Sequence, residues 1–146
     1  MSNQFLQLIE KRRSIYAIGK KVEQTPTYLT DWIQNTIKQS PSSFNSQSSR
    51  AVILFNAEHE KFWDLVKAQL KAYAKDAESA AKTDAKIDSF AAGLGTVLFF
   101  EDQEVVAGLQ ANFPSYADNF PIWSEHSTAI AQFATWTALS IEGLGA

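Results

Sequence analysis

Cysteine is absent from the 146 residues. That excludes disulfides, thiolate nucleophiles and cysteine-ligated metals, and it leaves the redox compartment open. Histidine is limited to His59 and His126. Neither has a second ligand three or four positions away, so no metal-binding motif is formed and no metal is expected. Gly93 and Gly95 precede an apolar run instead of following one. Without a third glycine they make no dinucleotide fingerprint, and no P-loop pattern occurs elsewhere. No G-x-S-x-G elbow marks a serine nucleophile. Apolar runs stay short of the roughly 18 residues that a membrane-spanning helix needs. The stretch from Met1 to Lys11 lacks the basic start and apolar core of a secretory signal. No membrane partner is therefore expected, and the cytoplasm is the default location. The net charge of −3 gives no overall attraction to polyanions, so nucleic acid is not an expected partner.

What is present suits a globular chain. Apolar residues make up 45% and fall in short stretches broken by polar ones, as one domain over residues 1–146 requires. Phe5, Leu6, Ile9 and Ile15 suggest a short amphipathic helix ending between Arg12 and Tyr16. Gly19 and the Lys20–Lys21 pair read as a loop. Thr25-Pro26 is a helix start, a capping hydroxyl followed by proline at the first turn. Leu29, Trp32, Ile33 and Ile37 continue it at helical spacing, and Ser40-Pro41 ends it. After a polar loop, Ala51 to Phe55 reads as a strand buried on both faces. Phe62, Val66, Leu70 and Tyr73 mark another helix. The Ala-, Lys- and Asp-rich stretch from Lys75 to Asp88 reads as an exposed helix or hairpin arm. A second buried strand is expected from Thr96 to Phe100, then a short helix with Val105, Val106 and Leu109. An aromatic-rich connection lies between Phe113-Pro114 and Phe120-Pro121. The long helix expected from Ile122 to Glu142 carries Ile130, Phe133, Ala134, Thr137 and Ile141 along one side, with Gly143 as its C-cap. The order implies an α+β fold with few strands and much helix.

Two segments carry groups with binding chemistry. Arg12, Arg13 and Ser14 place two guanidiniums and a hydroxyl within three residues. That set can hold a phosphate or an electron-rich carbonyl edge. Read alone, such a pair is more often solvated surface charge. The third arginine, Arg50, ends the loop Pro41-Ser42-Ser43-Phe44-Asn45-Ser46-Gln47-Ser48-Ser49-Arg50. This loop offers amides, hydroxyls and one aromatic face, groups that suit the edge of a planar heterocycle. Read alone, it is also an ordinary capped loop.

Together the segments resemble a specific family. Arg12-Arg13-Ser14-Ile15-Tyr16, followed about thirty residues later by the Pro41–Arg50 loop and an apolar strand, resembles the nitroreductase family, most closely its short bacterial and fungal branch. Gly93 to Asp102, Tyr116 to Ser124 and the ending Gly143-Leu144-Gly145-Ala146 match as well. The resemblance implies a central, mostly antiparallel sheet flanked by helices, and a homodimer whose core is the long helix. It implies FMN at the subunit interface, with NAD(P)H as electron donor. Nitroaromatics, quinones or similar acceptors would be reduced in a ping-pong cycle. Carried over by position, Arg12 and Ser14 would contact the FMN phosphate and Arg13 the polar edge of the flavin pyrimidine ring. Ser42, Ser43, Asn45 and Gln47 would approach the same flavin from the other subunit. No catalytic residue is identified. Lys67 or Lys71 are possible auxiliary cations, and Phe44 and Trp123 candidate walls of an open flavin face. Family members continue past the position of Ala146 into a further strand, a loop facing the flavin N5 and a later strand. The chain is therefore expected to represent the fold without its C-terminal strands, as a truncated form of a normal enzyme. The alternative is a non-catalytic flavin-binding or regulatory dimer of the same fold.

Overall fold

A computed structural model describes residues 3–146. The first helix, α1, is Gln4–Lys11, with the Asn3 side chain accepting from the Phe5 N–H at its start. It is shorter than its apolar pattern suggests, because Arg12 is already extended at φ −65°, ψ 118°. Ile15 therefore lies beyond the helix, where its N–H donates to Ala146 O over 3.1 Å. Helix α2, Pro26–Gln39, starts as its sequence requires, with Thr25 accepting from the Tyr28 N–H.

Strand β1, Ser49–Phe55, runs directly into helix α3, Asn56–Lys71. Helix α4, Ala77–Ala91, folds back on α3 as the hairpin arm. Asp76 and Ser79 close a reciprocal capping box at its start. The backbone bond from Ser79 holds the Asp76 carboxyl below the usual aspartate range. Strand β2, Gly95–Glu101, pairs antiparallel with β1, Val52 facing Leu98 and Phe55 facing Gly95. Gly95 is required there: a Cβ would lie 2.7 Å from Leu54 O and 2.8 Å from the Phe55 ring. Helix α5, Gln103–Asn112, a 3₁₀ segment at Pro114–Asn119 and helix α6, Phe120–Ile141, complete the chain. Gly143 sits at φ 78°, and the Leu144 N–H reaches back 3.0 Å to Leu139 O, the closure of a glycine C-cap.

The strands are not buried on both faces as their apolar runs suggest. Val52 is 45% and Phe100 50% exposed. Among the described residues the sheet has only these two strands, so each keeps one unpaired edge and part of one face stays open. Ile53, Phe55, Val97 and Phe99 instead line a cavity of about 690 Å³, which Trp136 and Leu139 of α6 and the Gly143–Ala146 ending also border.

Helix α6 organises the core. Phe120, Ser124, Ser127, Thr128, Ala131, Thr135 and Ala138 form the face buried within the chain, and Thr137, on the side of Phe133 and Ile141, is buried as well. Small residues let neighbours approach closely: Ser124 Oγ donates to Pro121 O and Ser127 Oγ to Trp123 O, each over 2.8 Å, Thr128 Oγ1 pairs with Ser49 Oγ at 2.6 Å, and Thr135 Oγ1 is buried without a partner. Helix α2 packs here through Leu29 and Ile33, and the Trp32 indole N–H donates to Ala138 O over 3.1 Å. The larger apolar residues lie on another side and stay open: Ile122 is 55%, Ile130 45%, Phe133 41% and Ile141 43% exposed.

His59 is wholly buried between α3 and the sheet. Its Nε2 lies 3.0 Å from Ala91 O, which only accepts, so Nε2 carries the proton. Its Nδ1 therefore accepts from the Thr96 hydroxyl over 2.9 Å, and Thr96 Oγ1 in turn accepts from the Trp63 indole at 3.0 Å. Every polar atom of this knot is used, so its role is structural. His59→Leu keeps most of the volume but leaves Ala91 O without its donor and the Thr96 hydroxyl proton without its acceptor. The expected loss is about 2–4 kcal/mol of stability. Urea denaturation checks this, and a midpoint equal to wild type would show that the knot contributes nothing.

Candidate functional site

Arg12 leaves α1 and lays its guanidinium over Trp136 of α6, 4.1 Å from the ring centroid. Stacking on the indole orders a side chain that would otherwise be mobile. Its Nε is buried and has no hydrogen-bond partner. A buried guanidinium nitrogen without an acceptor fits an anion in reach of the same fork. Arg13 and Ser14 are exposed, and no hydrogen bond or ion pair among the described residues engages either side chain. The chain beyond is tied to the α3–α4 arm at two points. Lys86 Nζ lies 4.8 Å from the Tyr16 and Phe90 ring centroids. Lys20 Nζ lies 2.5 Å from Glu60, and that bond holds the Glu60 carboxyl below the usual glutamate range.

The Ser42–Gln47 loop is a single 3₁₀ turn, Ser43–Asn45, with unusual backbone angles. Phe44, Asn45 and Gln47 all have positive φ, at 55°, 50° and 50°. The Ser43 N–H donates to Ser127 Oγ over 3.2 Å, which pins the loop to α6. The Ser42 hydroxyl accepts the Gln47 N–H over 3.0 Å and keeps its own proton to donate. Gln47 Nε2 donates to Asn45 Oδ1 over 3.1 Å. That pairing leaves the Asn45 Nδ2 donor and the Gln47 Oε1 acceptor on exposed side chains for an outside partner.

Of the other cations singled out by sequence, Arg50 and Lys67 are engaged within the chain, whereas no hydrogen bond or ion pair among the described residues engages the Lys71 side chain. Arg50 closes the loop by donating to Gln47 O at 2.7 Å and to Asp102 Oδ2 at 2.8 Å. Lys67 is ion-paired with Asp88 across the arm, and that bond raises its pKa. No metal-binding group of His, Asp or Glu occurs among the described residues, and none of their helices is long and apolar enough to cross a membrane.

One chain does not bring its two binding segments together. Arg12 rests on Trp136, and Ser43 is pinned by Ser127. These two positions lie nine residues apart on α6. At 100° and 1.5 Å per residue, that is about 180° around the helix and about 14 Å along it. Neither Trp136 nor Ser127 was identifiable from sequence, since each acts through a tertiary contact with a distant segment.

Comparison with known proteins adds a family and a fold. The sequence profile of the Nitroreductase family matches residues 9–146. HBN1 of Saccharomyces cerevisiae is 37% identical over 143 residues, 97% of this chain and 70% of that protein. The structure of the nitroreductase CinD from Lactococcus lactis, solved with chloramphenicol, superposes with a TM-score of 0.85 at 44% identity, over 97% of this chain and 71% of that one. CinD was also solved with 4-nitrophenol. At 17% identity a Desulfovibrio desulfuricans structure solved in complex with FMN shares the fold alone, with a TM-score of 0.69, over 99% of this chain and 67% of that one. CinD and the present chain therefore share the α+β nitroreductase fold.

Proposed function

The chain belongs to the nitroreductase family of oxidoreductases, and on that premise we propose that it forms a homodimer binding FMN across the subunit interface, where it reduces nitroaromatics, quinones or similar acceptors at the expense of NAD(P)H. The observation that carries this reading is the separation of the two segments on opposite sides of α6. Each chain offers an anion-binding half and a heterocycle-binding half that it does not join by itself. The apolar face of α6 bearing Ile122, Ile130, Phe133 and Ile141 is the surface by which a second chain would join them.

In this arrangement Arg12 and Ser14 hold the FMN phosphate. The Arg12 fork supplies paired donors, and its guanidinium rests over the Trp136 ring. Arg13 lies against the electronegative edge of the pyrimidine ring, where a fixed positive charge favours the reduced anion. From the other chain, the amides of Asn45 and Gln47 would hold that ring edge, with Ser42 and Ser43 beside them. FMN held there would supply hydride transfer between NAD(P)H and the acceptor. The binding of nitro compounds to CinD supports an aromatic acceptor class.

The test is direct. Purified protein is mixed with FMN, freed of excess by gel filtration, and its visible spectrum recorded. About one equivalent per chain, bleached by NAD(P)H and restored by a nitroaromatic, is the expected result. A colourless protein peak would overturn the FMN assignment.

A further inference from the structure

Within the proposed flavin site, on which this inference rests, we propose that Phe44 is a positioning residue: its ring, clamped by four other aromatics, holds the left-handed turn that presents the amides of Asn45 and Gln47. The local sequence does not favour this turn. Phe44 sits at φ 55°, ψ 22°, a region where a bulky side chain crowds its own backbone. Asparagine tolerates such angles, but Phe44 and Gln47 have no such local compensation. Strained backbone persists only where surrounding contacts over-determine it.

The surrounding contacts are aromatic. The Phe44 ring lies 5.2 Å from Phe113, 5.7 Å from Tyr116, 5.1 Å edge-on from Phe120, and 5.8 Å from Trp123 in a near-parallel stack. Offset and edge-on pairs at these separations are attractive and fix orientation as well as position. Yet Phe44 remains 49% exposed, so it is not an ordinary core residue. It seals the outer end of the cluster and fixes the backbone directly before Asn45. With Phe44 held, the Gln47 N–H meets Ser42 Oγ, and the Gln47 amide meets Asn45 Oδ1 at 3.1 Å. Asn45 Nδ2 and Gln47 Oε1 are the donor and acceptor left over on the two paired amides. A relaxed turn would separate them and lose the matched edge, without any change at the phosphate end.

Four variants of the full chain test this: Phe44→Ala, Phe44→Gly, Phe44→Tyr and Tyr116→Ala. The first readout is amide hydrogen exchange in flavin-free protein. Exchange at Asn45, Ser46 and Gln47 is expected to rise at least about tenfold in Phe44→Ala and Phe44→Gly, with the β1 amides unchanged. The second is the FMN dissociation constant, expected to rise about tenfold in both and to recover in Phe44→Tyr. Tyr116→Ala removes one clamping ring from an exposed position and should shift both readouts in the same direction, by a few fold. It decides the matter if the Phe44 variants fail to fold. Wild-type exchange and affinity in Phe44→Ala, or in Tyr116→Ala where the Phe44 variants do not fold, would overturn the proposal. So would full recovery in Phe44→Gly, since that would make the backbone angle sufficient without the ring. Failure of wild type to bind FMN would sink the proposed function, while the exchange measurement would still decide whether Phe44 holds the turn.

Discussion

Phe133→Asp is expected to yield a folded monomer that retains no FMN. Phe133 lies on α6 in line with Ile122, Ile130 and Ile141, at 41–55% exposure, on the side away from the Ser124–Ala131–Ala138 face that packs within the chain. A carboxylate there is solvated in an isolated chain and costs the monomer little. In a two-fold dimer each change appears twice, on both copies of the same patch. Burying an unpaired carboxylate costs about 3–5 kcal/mol. Two of them would raise the dimer dissociation constant by at least about ten-thousandfold. Sedimentation velocity together with retained flavin absorbance measures both consequences. A variant that stays dimeric and coloured would move the interface elsewhere on the molecule.

Arg12→Ala is expected to weaken FMN binding by about 1.5–3 kcal/mol, the range for a charge-assisted hydrogen bond. That is about a ten- to 150-fold rise in the dissociation constant. Arg12 is suited to so large an effect because its guanidinium is already stacked on Trp136, and its Nε is enclosed without a partner. The ordering cost is met before a phosphate arrives, so more of the contact appears as affinity. Arg12→Lys retains the charge but loses the planar fork and weakens the contact over the Trp136 ring, and an intermediate loss is expected. Fluorescence titration with FMN is the measurement. Equal affinities for wild type and Arg12→Ala would remove Arg12 from the phosphate site.

Much of this architecture is legible in the residues, because local rules govern it. Thr25-Pro26 starts α2, Ser40 ends it, and Gly143 closes α6, each for a reason contained within a few residues. The α3–α4 arm follows from its composition in the same way. The orientation of α6 does not. Periodicity separates a large apolar stripe from a small-residue one but does not tell which faces the chain's own core. The small stripe does, because Ser43, Ser49 and Trp32 need close approach and hydroxyl or carbonyl partners on α6. Double burial of the strands differs from what their runs suggest for a related reason. Runs such as Ala51–Phe55 record the burial the residues suit, whereas the two-stranded sheet covers Val52 and Phe100 only in part. At the site, the Arg12–Ser14 and Ser42–Gln47 segments were legible as chemistry. The Trp136 platform, the Ser127 pin and the aromatic clamp around Phe44 were not, since each joins residues with no pattern between them in sequence.

The central claim is that one flavin site needs the arginine segment of one chain and the loop of another. Mixed dimers test it most directly. Chains carrying Arg12→Ala and chains carrying Asn45→Ala are given different tags, refolded together, and the doubly tagged dimer isolated. One of its two sites then carries both lesions and the other carries none. The expected result is one FMN per dimer bound with wild-type affinity, whereas each homodimeric variant binds weakly at both sites. Two equally impaired sites in the mixed dimer would contradict the claim, and would mean that each chain builds its own site.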